Sequence, residues 1–212
     1  LAQYQDPAVA AFSASMWNIN LSLEVAKRVK EKFPDCLVVF GGPSVPIADI
    51  DTFFYEYPFV DVTVRGEGEH TFAELLMEFL ETRNFQWVKG ISYQFKGATY
   101  TNIGGRPLEE NPDVFPSPYL EGVFDHILKS GLRGHAVVET SRGCPFTCSF
   151  CYWGRAEPCR FFRMERVKEI AEWCGQNKVE YVYCADSNFG MMQRDYEIAQ
   201  YFVEAKAEYG YP

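Results

Sequence analysis

Three cysteines hold the most specific chemistry in the chain. Cys144, Cys148 and Cys151 follow the spacing C-x-x-x-C-x-x-C inside Glu139–Gly154, so one curled loop can bring three thiolates to a common centre. Soft thiolates select zinc, copper(I) or iron–sulfur clusters. A closed structural zinc site takes four protein ligands, and this loop contains neither a second C-x-x-C pair nor a histidine. On a cuboidal iron–sulfur cluster, three cysteines leave one iron open to a chelating small molecule. The bland alternative is a chance grouping, or one disulfide and a free thiol.

Such a loop must be held at both ends. His135–Thr140 reads as a short buried strand leading into it, and Arg142, Gly143 and Pro145 suit tight turns. A helix is predicted over Glu165–Gln176, with Val167, Ile170, Ala171 and Cys174 on one side, then a strand over Val179–Ala185 and a helix over Gln193–Tyr209. Two successive β/α units are the start of a (β/α) barrel, in which catalytic groups collect at the carboxyl ends of strands. Polar Asp186, Ser187 and Asn188 follow the second strand, either as ligand-binding groups or as turn caps. Glu139 and Arg142 are expected to pair and stiffen the loop, and Arg160 and Arg163 to flank the entry to the next helix.

The first half alternates strand and helix. Strands are predicted over Pro7–Ser15, Cys36–Phe40 and Phe59–Val64, and helices over Leu21–Lys32, Asp49–Tyr55 and Thr71–Thr82. Leu21, Val25, Ala26 and Val29 form the expected inner side of the first helix, and Phe72, Leu75, Leu76, Phe79 and Leu80 that of the third. This alternation predicts an α/β, doubly wound (flavodoxin-like) parallel sheet, which binds ligands beyond the carboxyl ends of its strands. The loops there contain Ser13 and Ser15, Gly41 and Gly42, and Gly66, Glu67 and Gly68. Small residues let a large cofactor approach the backbone closely, although glycines also simply turn a chain. Gly90–Phe95 and Ala98–Thr101 read as a β-hairpin. The prolines of Asn111–Pro118 mark a semi-rigid stretch without regular structure. The domains expected are 1–110, a linker over 111–130, and 131–212.

The cysteine stretch resembles the radical S-adenosylmethionine (SAM) enzymes, whose pattern is C-x-x-x-C-x-aromatic-C, with Phe150 as the aromatic. The resemblance implies that Cys144, Cys148 and Cys151 hold a [4Fe–4S] cluster whose open iron binds SAM, cleaved to methionine and a 5′-deoxyadenosyl radical. It also implies that Asp186 or Asn188 accepts from the SAM ammonium, while Tyr152 and Trp153, directly after the last cysteine, are placed to stack on adenine, to shield the cluster or simply to pack under the loop. The first half resembles the cobalamin-binding domain, with Ser13-Ala14-Ser15 in the S-x-L place and Gly41-Gly42 in the G-G place. Serine stands where that pattern has leucine. In this order the two resemblances are those of the cobalamin-dependent radical SAM family. They imply a methyltransferase acting on an unactivated carbon, with a small-molecule or peptide substrate and an external electron donor of flavodoxin or ferredoxin type. The alternatives are a radical SAM cyclase or methylthiotransferase without cobalamin, or a zinc-holding structural module.

Composition narrows the field. Of 212 residues, 47% are hydrophobic and 17% aromatic, enough for filled cores. The net charge of −9 argues against nucleic acid as a partner. No apolar run approaches the roughly 18 residues that span a bilayer. Seven unevenly spread cysteines fit a reducing cytoplasm better than a disulfide framework, and those outside the motif are expected to be small buried hydrophobes. Because it begins at Leu1 without an initiator methionine, the chain is expected to be a piece of a longer enzyme.

Overall fold

The computed structural model of the chain describes residues 5–102, 104–131, 134–151 and 157–212. They form two compact units, Leu1–Leu108 and Glu109–Pro212.

The first unit is built on a five-stranded sheet in the order β1 (Val9–Ser13), β2 (Leu37–Gly41), β3 (Val62–Val64), β4 (Ile91–Phe95) and β5 (Ala98–Thr101). β1, β2 and β3 are parallel. The predicted hairpin continues the sheet in antiparallel sense, β4 against β3 and β5 against β4, so the sheet is mixed at that side. The continuous apolar run of β2 has a direct cause. Val38 and Phe40 pack with Leu23, Ala26 and Val29 of α1 (Ile19–Lys32) and with Phe53 and Phe54 of α2 (Ile50–Glu56). Leu37 and Val39 enter a second core with Leu75 and Phe79 of α3 (Gly68–Glu81). A strand covered on both faces needs apolar residues at every position.

The expected inner sides of α1 and α3 largely hold, with Ala26, Val29, Leu75 and Phe79 buried and Val25 and Phe72 packed against the cores, but each differs at one edge. Leu21 and Leu80 are exposed, whereas Leu23 in α1 and Thr71 in α3 are buried. A polar tie closes the start of the β2–β3 ladder. Asp61 accepts from the Val38 N–H at 2.7 Å and from Lys30 Nζ at 2.7 Å, and Lys30 also donates to the Cys36 carbonyl at 2.8 Å.

In the second unit β6 (His135–Val138) pairs in parallel with β9 (Tyr181–Cys184). α5 (Met164–Gln176) and α6 (Gln193–Tyr209) supply Ile170, Cys174 and Phe202 to the core beneath Ala136 and Val138. All four residues predicted for the inner side of α5 are buried. Between β6 and α5 stands a feature without an expected counterpart, the two-residue strands β7 (Ser141–Arg142) and β8 (Arg160–Phe161), paired antiparallel. The proline-rich stretch also has structure. Pro112–Val114 is a 3-10 turn, and Asp113 accepts from the Arg163 N–H at 2.8 Å and pairs with Arg166 at 3.7 Å. α4 (Asp125–Lys129) follows. Among the described residues no helix is long and apolar enough to cross a membrane.

Cys36 and Cys174 are buried as expected, while Cys159 and Cys184 are half-buried. Burial pushes the Cys174 thiol from 9.0 up to about 12. The folded chain therefore holds this proton through a pH range in which an unfolded thiol has lost it. Stability present below pH 9 falls as pH rises toward 12, by at most about 1.4 kcal/mol per pH unit from this group. Thermal unfolding between pH 8 and 11 should show a steeper alkaline loss of Tm in the parent chain than in Cys174→Ala.

Candidate functional site

Parallel pairing places the carboxyl ends of β1, β2 and β3 at one edge, so the three predicted loops of the first unit emerge side by side. Ser13 is the ladder partner of Gly41, the Ala14 N–H donates to the Gly41 carbonyl at 2.7 Å, and the Ser44 N–H donates to the Ala14 carbonyl at 3.1 Å. Asn18 fastens the first loop from within. Its Oδ1 accepts from the Ser15 N–H at 2.7 Å, and its Nδ2 donates to the Ser13 carbonyl at 2.9 Å. Gly42 has a φ of +99°, and a Cβ there would lie 2.7 Å from the Ala14 carbonyl oxygen. Only glycine satisfies both the conformation and the close approach. Gly66 has open space where a Cβ would stand. Glu67 caps α3, and Gly68 is its first residue rather than part of the loop. Met16 and Trp17 stand exposed beside Ser15. A bare backbone edge flanked by exposed apolar side chains suits a large, flat, partly apolar cofactor.

In the second unit the cysteine loop has a rigid root and an exposed tip. Cys144 is 8% exposed, whereas Cys148 and Cys151 are exposed. The Cys151 N–H donates to the Cys148 carbonyl at 3.0 Å, closing a turn between them. At the root, Gly143 has a φ of +88°, and a Cβ on it would meet the Pro158 carbonyl oxygen at 2.5 Å. The expected Glu139–Arg142 pair forms at 2.8 Å, with the Arg142 guanidinium over the rings of Phe115 and Phe162. Arg160 donates to the Glu109 carbonyl at 2.8 Å, and the Arg163 guanidinium lies 3.4 Å from Asp113. Arg160 is buried in the packing of this root, whereas Arg163 stays largely solvated while reaching Asp113. Cys159 donates to the Gly143 carbonyl at 3.8 Å, and burial, with the neighbouring Cys144, pushes its thiol up.

The donors are right in kind for an iron–sulfur cluster, since three soft thiols stand within one loop. They do not converge here, because among the described residues no three His, Cys, Asp or Glu side chains are grouped to hold a metal ion. Phe150 is 92% exposed. Tyr152 and Trp153 lie outside the described residues.

Asp186 has a different position from the one its place in the sequence suggests. Its Oδ1 accepts from the N–H groups of Thr140 and Ser141 at 2.6 and 3.1 Å. Its Oδ2 accepts from their hydroxyls at 2.5 and 3.0 Å. A carboxylate has about four acceptor positions, and these contacts occupy them. Asn188 is exposed, its amide donating to Met191 Sδ at 3.4 Å. Arg194, also unforeseen, donates to the carbonyls of Thr140 at 3.4 Å and Phe162 at 2.8 Å. An apolar cavity of about 400 Å³ beside β9 and α6 is lined by Val138, Cys184, Phe189, Ile198 and Phe202, and by none of the predicted site residues.

Residues 1–76 match the B12 binding domain family. Over 98% of its length the chain is 43% identical to 2-(S-pantetheinyl)-carbapenam-3-carboxylate methyltransferase of Streptantibioticus cattleyicolor. Over a similar 98% it is 42% identical to the cobalamin-dependent radical SAM methyltransferase TokK of Streptomyces tokunonensis. The chain spans 31% of the length of each. Among solved structures, the cobalamin-dependent SAM radical enzyme OxsB, with aqua-cobalamin and SAM bound, matches 96% of this chain and 29% of its own. The TM-score is 0.69 at 21% identity, a likeness of fold.

Replacing Gly42 by Ala combines left-handed backbone strain with a clash against a carbonyl, so it should cost about 1–3 kcal/mol or more. Gly66→Ala meets no atom and should cost about 1 kcal/mol. Urea denaturation midpoints of the two variants check this order.

Proposed function

Because the chain belongs to the cobalamin-dependent radical SAM family, we propose that it is the cofactor-bearing part of a cytoplasmic methyltransferase acting on an unactivated carbon. The observation carrying this reading is the 42–43% identity to two named methyltransferases over 98% of the chain, a span that includes both the glycine–serine loops and the cysteine loop. When bound, the cluster with SAM supplies hydrogen-abstracting radical chemistry, and cobalamin supplies the methyl group.

The residues of the chain bind and orient. Cys144, Cys148 and Cys151 are the cluster ligands, with Cys144 buried at the root and the other two on the exposed tip. Their thiolate form is the ligand, so loading requires three protons to leave. Ser13, Ser15, Gly41, Gly42, Gly66, Glu67 and Gly68 form the edge against which cobalamin lies. Gly42 keeps two loops in contact, and the missing side chain at Gly66 leaves room. Asn188 is the polar group beyond β9 for the ammonium of SAM. Phe150 and Tyr152 cover the cluster and adenine from solvent. The substrate is a small molecule or peptide, and an external flavodoxin or ferredoxin supplies electrons.

Anaerobic reconstitution with iron, sulfide and hydroxocobalamin tests the reading. The chain should retain iron and sulfide in equal amounts and carry both the brown cluster absorbance and the cobalamin spectrum. Cys148→Ala should lose the cluster while keeping cobalamin and the circular dichroism of the parent. A colourless protein holding stoichiometric zinc would overturn the reading in favour of a structural site.

A further inference from the structure

The four hydrogen bonds at Asp186 carry one step further. Thr140 and Ser141 are the last residues before Arg142, Gly143 and Cys144, so the carboxylate grips the backbone at the root of the cysteine loop. The grip joins separate strands. The Ala185 N–H donates to the Val138 carbonyl at 2.9 Å, bringing the ends of β6 and β9 together. Asp186 then extends the contact past the end of the ladder onto Thr140 and Ser141, two and three residues beyond β6. On the other side Thr140 is held by the Phe162 N–H, which donates to its carbonyl at 3.1 Å, and by Arg194. Thr140 is buried, so its N–H and hydroxyl would have no water to replace the carboxylate. Bonds to an ionised acceptor are roughly twice as strong as neutral ones. A carboxylate with all its acceptor positions taken by protein has none left for a ligand ammonium.

Resting on the reading of Cys144, Cys148 and Cys151 as cluster ligands, we infer that Asp186 is a positioning residue for the cluster loop. It acts through Thr140 and Ser141 and not on SAM. It fixes the direction in which the chain leaves β6, and with it the place of Cys144, the buried member of the three. The geometry of the carboxylate matters as much as its charge. In Asp186→Asn the amide oxygen still accepts from the two N–H groups, but the NH₂ can only donate to the hydroxyls, so the charge-assisted bonds are replaced by weaker neutral ones.

Three variants test this in the reconstituted chain: Asp186→Asn, Thr140→Val and the double variant. Thr140→Val keeps volume and backbone N–H while deleting one hydroxyl donor, and it leaves a free acceptor on Asp186. Outer-shell partners of metal ligands typically contribute 10–100-fold to affinity. Iron release to a chelator should accelerate about tenfold or more in Asp186→Asn, and by a smaller factor in Thr140→Val. The double variant should be no faster than Asp186→Asn alone, because both delete the same contact. SAM binding by equilibrium dialysis should fall only in proportion to the cluster lost.

The opposite pattern would overturn the inference: a parental iron-release rate in Asp186→Asn with SAM binding abolished, which would make the carboxylate a SAM ligand. So would a parental rate in all three variants. Amide hydrogen exchange at Thr140 and Ser141, read on metal-free chain, separates the two levels of failure. Faster exchange in Asp186→Asn establishes the grip itself. If the parent chain takes up no iron, the cluster reading fails and the positioning role fails with it, whatever the exchange data show.

Discussion

Parallel strand pairing is the constraint on which the candidate sites depend. A parallel neighbour points the same way, so every strand delivers the chain to the same edge. In the first unit this sets Ser13 beside Gly41 and carries the chain from β3 into Gly66 and Glu67 at that edge. In the second unit it sets Val138 beside Cys184, which brings Thr140 and Asp186 within hydrogen-bond distance. The arrangement has requirements of its own. Each parallel return in the first unit needs a crossover helix with an apolar face, and a strand covered on both sides must be apolar throughout. Hence Leu37–Phe40 shows no alternation, and the chemistry lies on loops that the strands aim.

Much of this was legible in the residue pattern, and the exceptions share a cause. The four-residue apolar run of β2, the single apolar side of α5 and the cysteine spacing are local signals, readable without knowing what lies across the fold. The exposure of Leu21 in α1 and Leu80 in α3 is not. Leu21 and Leu23 are equally apolar, and which one turns inward depends on where the crossover meets the sheet. β7 and β8 have two residues each, too few for any periodicity. The sense in which the hairpin joins β3 is set by the preceding connection, since β4 and β5 have the same alternation in either orientation. The grip of Asp186 on Thr140 spans 46 positions and has no sequence period. The Asp-Ser-Asn run announced polar chemistry after β9 but not the partner of its carboxylate.

The root of the cysteine loop is held by charged groups, several of them largely buried. Arg142 pairs with Glu139 while its guanidinium covers two aromatic rings. Asp113, with a side chain only 6% exposed, answers both Arg163 and Arg166. Arg194 spends its donors on backbone carbonyls and lies over Phe161. Removing one member of such a set leaves its partner buried and unanswered, which costs more than the bond itself contributed. The root is therefore well braced, whereas Cys148 and Cys151 beyond it are exposed.

The distance along the chain between Thr140 and Asp186 has a consequence for biogenesis. A ribosome releases the three thiols well before it releases the residue that squares their platform. Until β9 has docked, the nascent loop offers sulfur without a fixed stance, open to stray oxidation or to whatever soft cation arrives first.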